Sequence, residues 1–203
     1  MIKAIIFDFG NVLCSFSVAK FFENLAQRSR CTVKELHDLL PEISRIAIEY
    51  ETGLITSDQF YRQITVLTKM EISREEFIKA YVDIFAPIES TFDLIRRLKP
   101  HYRLGLLSNT NEWHFEHSIK TVSVYPLFDA VSLSYVVGAM KPKAAIYHDM
   151  LAKLGVEAGA CVYIDDLPEN VEAAAKLGMD GIVYSDHAAL LKDLRLRGVN
   201  TDQ

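Results

Sequence analysis

The chain is short of cysteine, of net positive charge and of long apolar runs, and each shortage excludes something. Its three cysteines, Cys14, Cys31 and Cys161, are odd in number, far apart and never in a Cys-x-x-Cys spacing. That argues against a disulfide framework or a zinc knuckle and suits a reducing compartment. Basic residues number 22 against 27 acidic ones, a net charge of −5. A chain of that sign has no field to gather nucleic acid or an anionic membrane, so a phosphate-bearing ligand must be met by local positive charge. No apolar run approaches membrane-spanning length, and the first is broken by Asp8, too early for a signal peptide. The expectation is a cytoplasmic protein with neither a nucleic-acid nor a membrane partner. Internal repeats, low-complexity tracts and linker-like segments are missing as well. With 203 residues, half of them hydrophobic, the chain has material for one sizeable core, or for a core plus a small accessory domain.

What is present begins with Ala4-Ile5-Ile6-Phe7, four apolar residues that run straight into Asp8, followed by the turn signal Gly10-Asn11. A short continuous apolar run reads as a strand buried on both faces, as in a parallel sheet covered by helices. Ligands in such sheets bind beyond the carboxyl ends of the strands, which is where Asp8 falls. An Asp there either simply ends the strand or serves as nucleophile or metal ligand, and the rest of the chain must decide.

From about Ser15 to Ala86 the texture is helical, with no convincing strand. Phe21, Phe22 and Leu25 recur at helical spacing, as do Leu36, Leu39 and Leu40. Thr56 to Gln59 opens a capped amphipathic helix carrying Phe60, Ile64 and Leu67, and Ser73 to Glu76 has capping-box spacing. This block reads as a small helical bundle inserted early in the chain. After Pro87 the pattern alternates. A helix near Ser90–Leu98 precedes strands at Tyr102–Leu107, Ala130–Leu133, Cys161–Ile164 and Gly181–Tyr184. Helices are expected over Pro142–Leu154 and Pro168–Leu177, each with Pro at its start and Gly just past its end. Such alternation implies parallel βαβ units.

Three strands therefore end in polar groups: Asp8, Ser108-Asn109 and Asp165-Asp166. A parallel sheet brings these ends to one edge. Three carboxylates crowded there repel one another unless a cation neutralises them, and oxygen ligands of this kind suit Mg²⁺. Lys141-Pro142-Lys143 places two cations at an expected helix N-terminus, the end where the macrodipole favours anions. Lys143 reads as solvated, and Lys141 as an anion-binding group. Carboxylate nucleophile, Mg²⁺, hydroxyl donor and lysine are the parts of phosphoryl transfer.

These residues also carry a resemblance. Asp8-Phe9-Gly10-Asn11-Val12, Leu106-Leu107-Ser108-Asn109, Lys141-Pro142 and Ile164-Asp165-Asp166 with Asn170 occur in the order of the four motifs of the haloacid dehalogenase superfamily of hydrolases. Within it, Ser108 to Asn111, the Glu51-x-Gly53 bend and Asp165-Asp166 with Asn170 resemble the bacterial α-D-glucose-1-phosphate phosphatase group. The resemblance implies an α/β fold: a Rossmann-like parallel-sheet core, residues 1–14 and 88–203, with an inserted α-helical cap domain, residues 15–87. It implies Asp8 as the nucleophile that forms an aspartyl-phosphate, Ser108 on the transferring phosphoryl group, and Lys141 stabilising the charge of that group and of Asp8. Mg²⁺ would be held by Asp8, the Gly10 carbonyl and Asp166, with Asp165 direct or through water. Gly10 departs from the pattern, because most phosphatases of the superfamily carry a second Asp there as general acid and base.

Asn109, Thr110, Asn111 and His114 follow the second motif, and Asn109 and Thr110 are taken as substrate-binding. His114 reads better as a surface or partly buried histidine. Arg45, Tyr50 and Glu51 are candidates to face the substrate, while Trp113 and the phenylalanines of the helical block read as core. The expected function is Mg²⁺-dependent hydrolysis of a small phosphorylated metabolite, such as a sugar 1-phosphate. Two other readings stand beside it. A 2-haloacid dehalogenase also works through an aspartyl ester and also lacks the second Asp, but needs no Mg²⁺. A catalytically weak regulatory protein would keep the phosphate site for binding alone.

Overall fold

A computed structural model describes residues 1–29 and 31–201. The chain enters through β1 (Ala4–Phe7) and turns at Gly10-Asn11 into β2 (Cys14–Phe16). There follow α1 (Val18–Arg28), α2 (Val33–Asp38), α3 (Leu40–Glu51), α4 (Ser57–Thr68) and α5 (Arg74–Val82). The return is β3 (Phe85–Pro87), which pairs antiparallel with β2, and then α6 (Glu89–Leu98), β4 (Arg103–Ser108) and α7 (Glu112–His117). The last part comprises β5 (Ala130–Leu133), α8 (Ser134–Val137), α9 (Ala144–Leu154), β6 (Cys161–Asp165), α10 (Pro168–Lys176), β7 (Asp180–Val183) and α11 (His187–Leu196). Among the described residues, no helix is long and apolar enough to cross a membrane.

The sheet runs in the order β5-β4-β1-β6-β7 with every pair parallel. Its middle strand shows why the opening run is continuously apolar. Ile5 and Phe7 pack on one face with Phe92 and Ile95 of α6 and with Leu190 and Leu194 of α11. Ala4 and Ile6 pack on the other with Ile146, Tyr147 and Met150 of α9. Alternate residues of β1 thus feed two layers, and each large side chain so buried stabilises by about 2 kcal/mol relative to exposure. β1 lies between β4 and β6, so Asp8, Ser108 and Asp165 end three neighbouring strands.

The helical block has a core of its own, in which Phe22 and Leu25 of α1, Ile46 of α3, Phe60 of α4 and Phe77 of α5 meet Trp113 of α7. Capping boxes start α4 at Thr56 with Gln59 and α5 at Ser73 with Glu76, each satisfying backbone donors at a helix start. Thr32 with Glu35 makes a further one on α2.

Three expectations are corrected. The block read as purely helical begins and ends in β2 and β3, three-residue strands too short to show any period. They hold by pairing with each other rather than by pattern. The helix expected from Pro142 begins at Ala144, with Lys143 as its cap residue. Lys141 therefore stands before the helix, not in its first turn. The last strand lies one residue earlier than expected, because β7 pairs with β6 from Asp180.

Candidate active site

The carboxyl edge of the sheet is organised by one lysine. Lys141 Nζ lies 2.7 Å from Asp8 Oδ1 and 2.8 Å from Asp165 Oδ2, clamped between two strand ends. The side-chain amide of Asn109, just past β4, fixes the lysine backbone from both sides. Its Oδ1 accepts from Lys141 N at 2.7 Å, and its Nδ2 donates to the Lys141 carbonyl at 3.1 Å. Lys141, expected as a charge partner of Asp8, stands in a buried ion pair with it and with Asp165.

The three acids differ. Asp8 Oδ1 accepts from Phe9 N at 2.6 Å in addition to its lysine contact. Asp165 is fully buried with both oxygens occupied. Its Oδ1 accepts from Leu167 N at 2.9 Å and Asn170 Nδ2 at 3.0 Å, and its Oδ2 from Lys141 and the Tyr163 hydroxyl. Asp166 is half-buried and accepts from Asn11 Nδ2 at 2.9 Å. Asn11 itself sits at φ 53°, a left-handed turn conformation that Asn tolerates better than most residues. One turn residue thereby ties the first strand end to the acid after β6.

Oxygens of Asp8, Asp165 and Asp166 all lie within 4.8 Å of one another. Burial pushes the Asp8 carboxyl up to about 7, helped by the like charge of Asp165 and opposed by Lys141. Burial also works against ionised Asp165, but Lys141 and the Tyr163 and Asn170 hydrogen bonds prevail and hold it below the usual carboxylate range. Lys141 is disfavoured by burial, yet its two acid partners raise it above the ordinary lysine value. One cation against three acids leaves the cluster short of positive charge. An all-oxygen donor set of that charge fits a hard divalent cation such as Mg²⁺.

Ser108 is buried at the end of β4, and its Oγ makes only a long 3.4 Å contact to the Asn109 carbonyl. Ser108, Asn109 and Thr110, with Gly10, form the floor of a cavity of about 230 Å³ that opens between the sheet edge and the helical block. Of the three candidates on α3, Glu51 alone lines this cavity. Tyr50 is packed inside the helical block with its hydroxyl 2.7 Å from Ser57 Oγ, and Arg45 is exposed beside Glu49. Trp113 is core, as expected. His114 is not at the surface. It is buried, stacked on Tyr81 at 4.2 Å, and lines the cavity. Its Nε2 faces the Tyr81 carbonyl at 3.2 Å and its Nδ1 the Asn111 amide nitrogen at 3.1 Å. Burial brings it down to about 4, so this ring is a neutral, fixed spacer at pH 7. Tyr163 was hidden in the sequence by the apolar run that contains it; an acid two residues on, along the same strand face, was the available signal.

Glu51 is placed by the core. Ser134 Oγ lies 2.6 Å from the Glu51 carbonyl and 2.9 Å from Thr110 N. Two residues on, Gly53 has φ +70°, and a Cβ there would stand 2.3 Å from the Tyr135 carbonyl oxygen. The end of α3 is seated where no side chain fits. Burial raises the Glu51 carboxyl to about 7, against the attraction of Lys141. An acid raised in the fold contributes its full stability below its unfolded value of 4.5 and loses it as pH rises through about 7. Glu51→Gln is therefore expected to nearly match the native chain in Tm at pH 5 and to exceed it by about 5 °C at pH 8. An equal offset at both pH values would show that this carboxyl is not strained.

A family model described as haloacid dehalogenase-like hydrolase matches residues 2–178. The chain belongs to that family. Among similar proteins, D-ribitol-5-phosphate phosphatase of Bacteroides thetaiotaomicron is 28% identical, over 89% of this chain and 90% of its own. Flavin mononucleotide hydrolase 1 of Arabidopsis thaliana is 27% identical, over 75% of this chain and 62% of its own. Among solved structures, a family enzyme from Bacteroides thetaiotaomicron in complex with magnesium and inorganic phosphate superposes with a TM-score of 0.80. It is 24% identical, over 91% of this chain and 95% of its own, and it supports the fold.

Gly10, which departs from the pattern the resemblance implies, is packed against β2. A Cβ built on it would stand 3.2 Å from Phe16 Cε1 and 3.4 Å from Phe16 Cδ1. The ring of β2 occupies the ground where a side chain at position 10 would begin.

Proposed function

We propose that this haloacid dehalogenase-like hydrolase is a Mg²⁺-dependent phosphomonoesterase that passes the phosphoryl group of a small metabolite through Asp8. The observation that carries the reading is the Asp8–Lys141–Asp165 clamp at the carboxyl edge of the sheet, with Asp166 beside it. Residues 1–14 and 88–203 form the catalytic core in this reading, and 15–87 the cap. The separate apolar cluster of the helical block and the β2–β3 pair at its base support that division.

Asp8 Oδ1 is taken by Lys141 and Phe9, which leaves Oδ2 to attack phosphorus. As the Oδ2–phosphorus bond forms, the bond to the leaving oxygen breaks and that oxygen takes a proton from water. A second water then attacks phosphorus, freeing phosphate and restoring Asp8. Lys141 holds Asp8 in place and offsets charge on the phosphoryl oxygens. The Ser108 hydroxyl, with only its long contact to Asn109, donates to one of them, and Asn109 and Thr110 line the approach. Asp8, the Gly10 carbonyl and Asp166 would hold Mg²⁺, with Asp165 through water, and the ion would supply the remaining charge neutralisation. Water mediation suits Asp165, whose oxygens already accept four protein donors.

Gly10 places no carboxylate beside the leaving oxygen. Aryl, acyl and sugar 1-phosphates, whose leaving groups need little protonation, should therefore lose least, and sugar 6-phosphates most. The sugar 1-phosphate reading rests on that residue and on the resemblance to the α-D-glucose-1-phosphate phosphatase group. The relative named for D-ribitol 5-phosphate is named for a primary-alcohol ester, and it supports the phosphatase reading rather than the preference.

Phosphate release measured with Mg²⁺ and in excess chelator tests the assignment. Chelation is expected to cut the rate by about 10²-fold or more, and Asp166→Ala to behave like the chelated enzyme. Full turnover of a 2-haloacid in chelator would return the dehalogenase reading, and phosphate binding without any release the regulatory one.

A further inference from the structure

We propose that the leaving group of the substrate is apolar and ring-sized, a phenol or a ring-bearing alcohol, and not a sugar. The proposal rests on the phosphomonoesterase reading but sets aside its sugar 1-phosphate form, and asks what the cavity above the phosphate floor would accept. Its walls are Phe16, Phe21, Phe22, Ile43, Phe60 and Phe85. Several of these rings meet edge to face, as Phe9 does with Phe85 at 5.3 Å and Phe21 with Tyr81 at 5.2 Å. Ring faces and edges, not polar groups, are what they present inward.

The polar groups on the wall are few and mostly engaged. Both nitrogens of His114 are already hydrogen-bonded, and Ser44 is exposed at the rim. Glu51 remains as the carboxyl on the wall among the described residues. A hexose buried here would bring a hydroxyl on nearly every carbon and find on the wall one carboxyl and the Tyr81 hydroxyl, itself already accepting from Asn111 Nδ2. Each hydroxyl stripped of water without a partner weakens binding, whereas an apolar ring gains by leaving water.

Size agrees. An apolar cavity of about 150 Å³ accepts benzene. At about 230 Å³ this one admits a ring with a substituent or a branched chain of similar bulk. Phe16 and Val18 are 44% and 46% exposed, side by side at the mouth, where an apolar leaving group would cover them. Phe16 also stands against Gly10, so the wall is apolar at the point where the leaving oxygen departs.

The test compares esters of equal chemistry. Cyclohexylmethyl phosphate and glucose 6-phosphate are both esters of a primary alcohol on a six-membered ring, and they differ in polarity. With the Mg²⁺-loaded protein, kcat/KM for the first is expected to exceed that for the second by at least about 10²-fold. Ala47→Leu, which adds bulk to the wall, should lower the ratio of kcat/KM for cyclohexylmethyl phosphate to that for acetyl phosphate by at least about tenfold, through KM. Should that variant fail to fold, Val18→Asn at the exposed rim should move the same ratio in the same direction. Equal or better hydrolysis of glucose 6-phosphate overturns the apolar leaving group while leaving the phosphatase standing. No release from either ester or from acetyl phosphate overturns both.

Discussion

Asp8→Asn is expected to lower kcat by at least about 10³-fold without loss of stability. An amide oxygen cannot form the acyl phosphate, and no other carboxylate follows β1 within its motif. Stability should hold because burial already pushes the Asp8 carboxyl up to about 7. The site as it stands disfavours the charge that the substitution removes, and Lys141 keeps Asp165 as its partner. Phosphate release and thermal unfolding, measured on one preparation, separate loss of the nucleophile from loss of the fold. A variant within about tenfold of the native rate, or about 1.4 kcal/mol, would exclude Asp8 as nucleophile.

Lys141→Met is expected to be the most damaging single change to the fold at this edge. Lys141 is buried, and its ammonium touches both Asp8 and Asp165. Without it two buried carboxylates face each other, and breaking such a pair typically costs about 3–5 kcal/mol. For a chain of this size that corresponds to a fall in Tm of about 6–20 °C. Pairing the change with Asp8→Asn should recover part of the loss, because only Asp165 is then left charged. A Tm within about 2 °C of the native value would mean that the clamp contributes nothing to the fold.

Much of this arrangement was legible in the sequence because it rests on strands buried on both faces. An apolar run that ends in a polar group marks such a strand, and β1, β4 and β6 end at Asp8, Ser108 and Asp165. Convergence of Asp8, Ser108 and Asp165 then follows from parallel pairing. The boundaries of the helical block were less legible, since β2 and β3 are defined by pairing and carry no period. The contacts of Lys141 were only partly legible in the local sequence. Proximity to a helix start suggested an anion site, while its partners lie on strands that begin over a hundred residues apart. The cavity was invisible for a related reason. Helical spacing marks Phe21 and Phe22 on α1 and Phe60 on α4 as apolar-face residues, but the same pattern serves a face against protein and a face against open space. His114 was misread because its burial depends on stacking with Tyr81 from another helix.

The stereochemical course at phosphorus tests the role of Asp8 most directly. A phosphorothioate monoester made chiral with oxygen isotopes would be hydrolysed in isotopically labelled water by the Mg²⁺-loaded protein, and the configuration of the released thiophosphate determined. Two in-line displacements, the first by Asp8 and the second by water, give net retention. Net inversion would mean that water attacks the ester directly, and Asp8 would then not be the nucleophile.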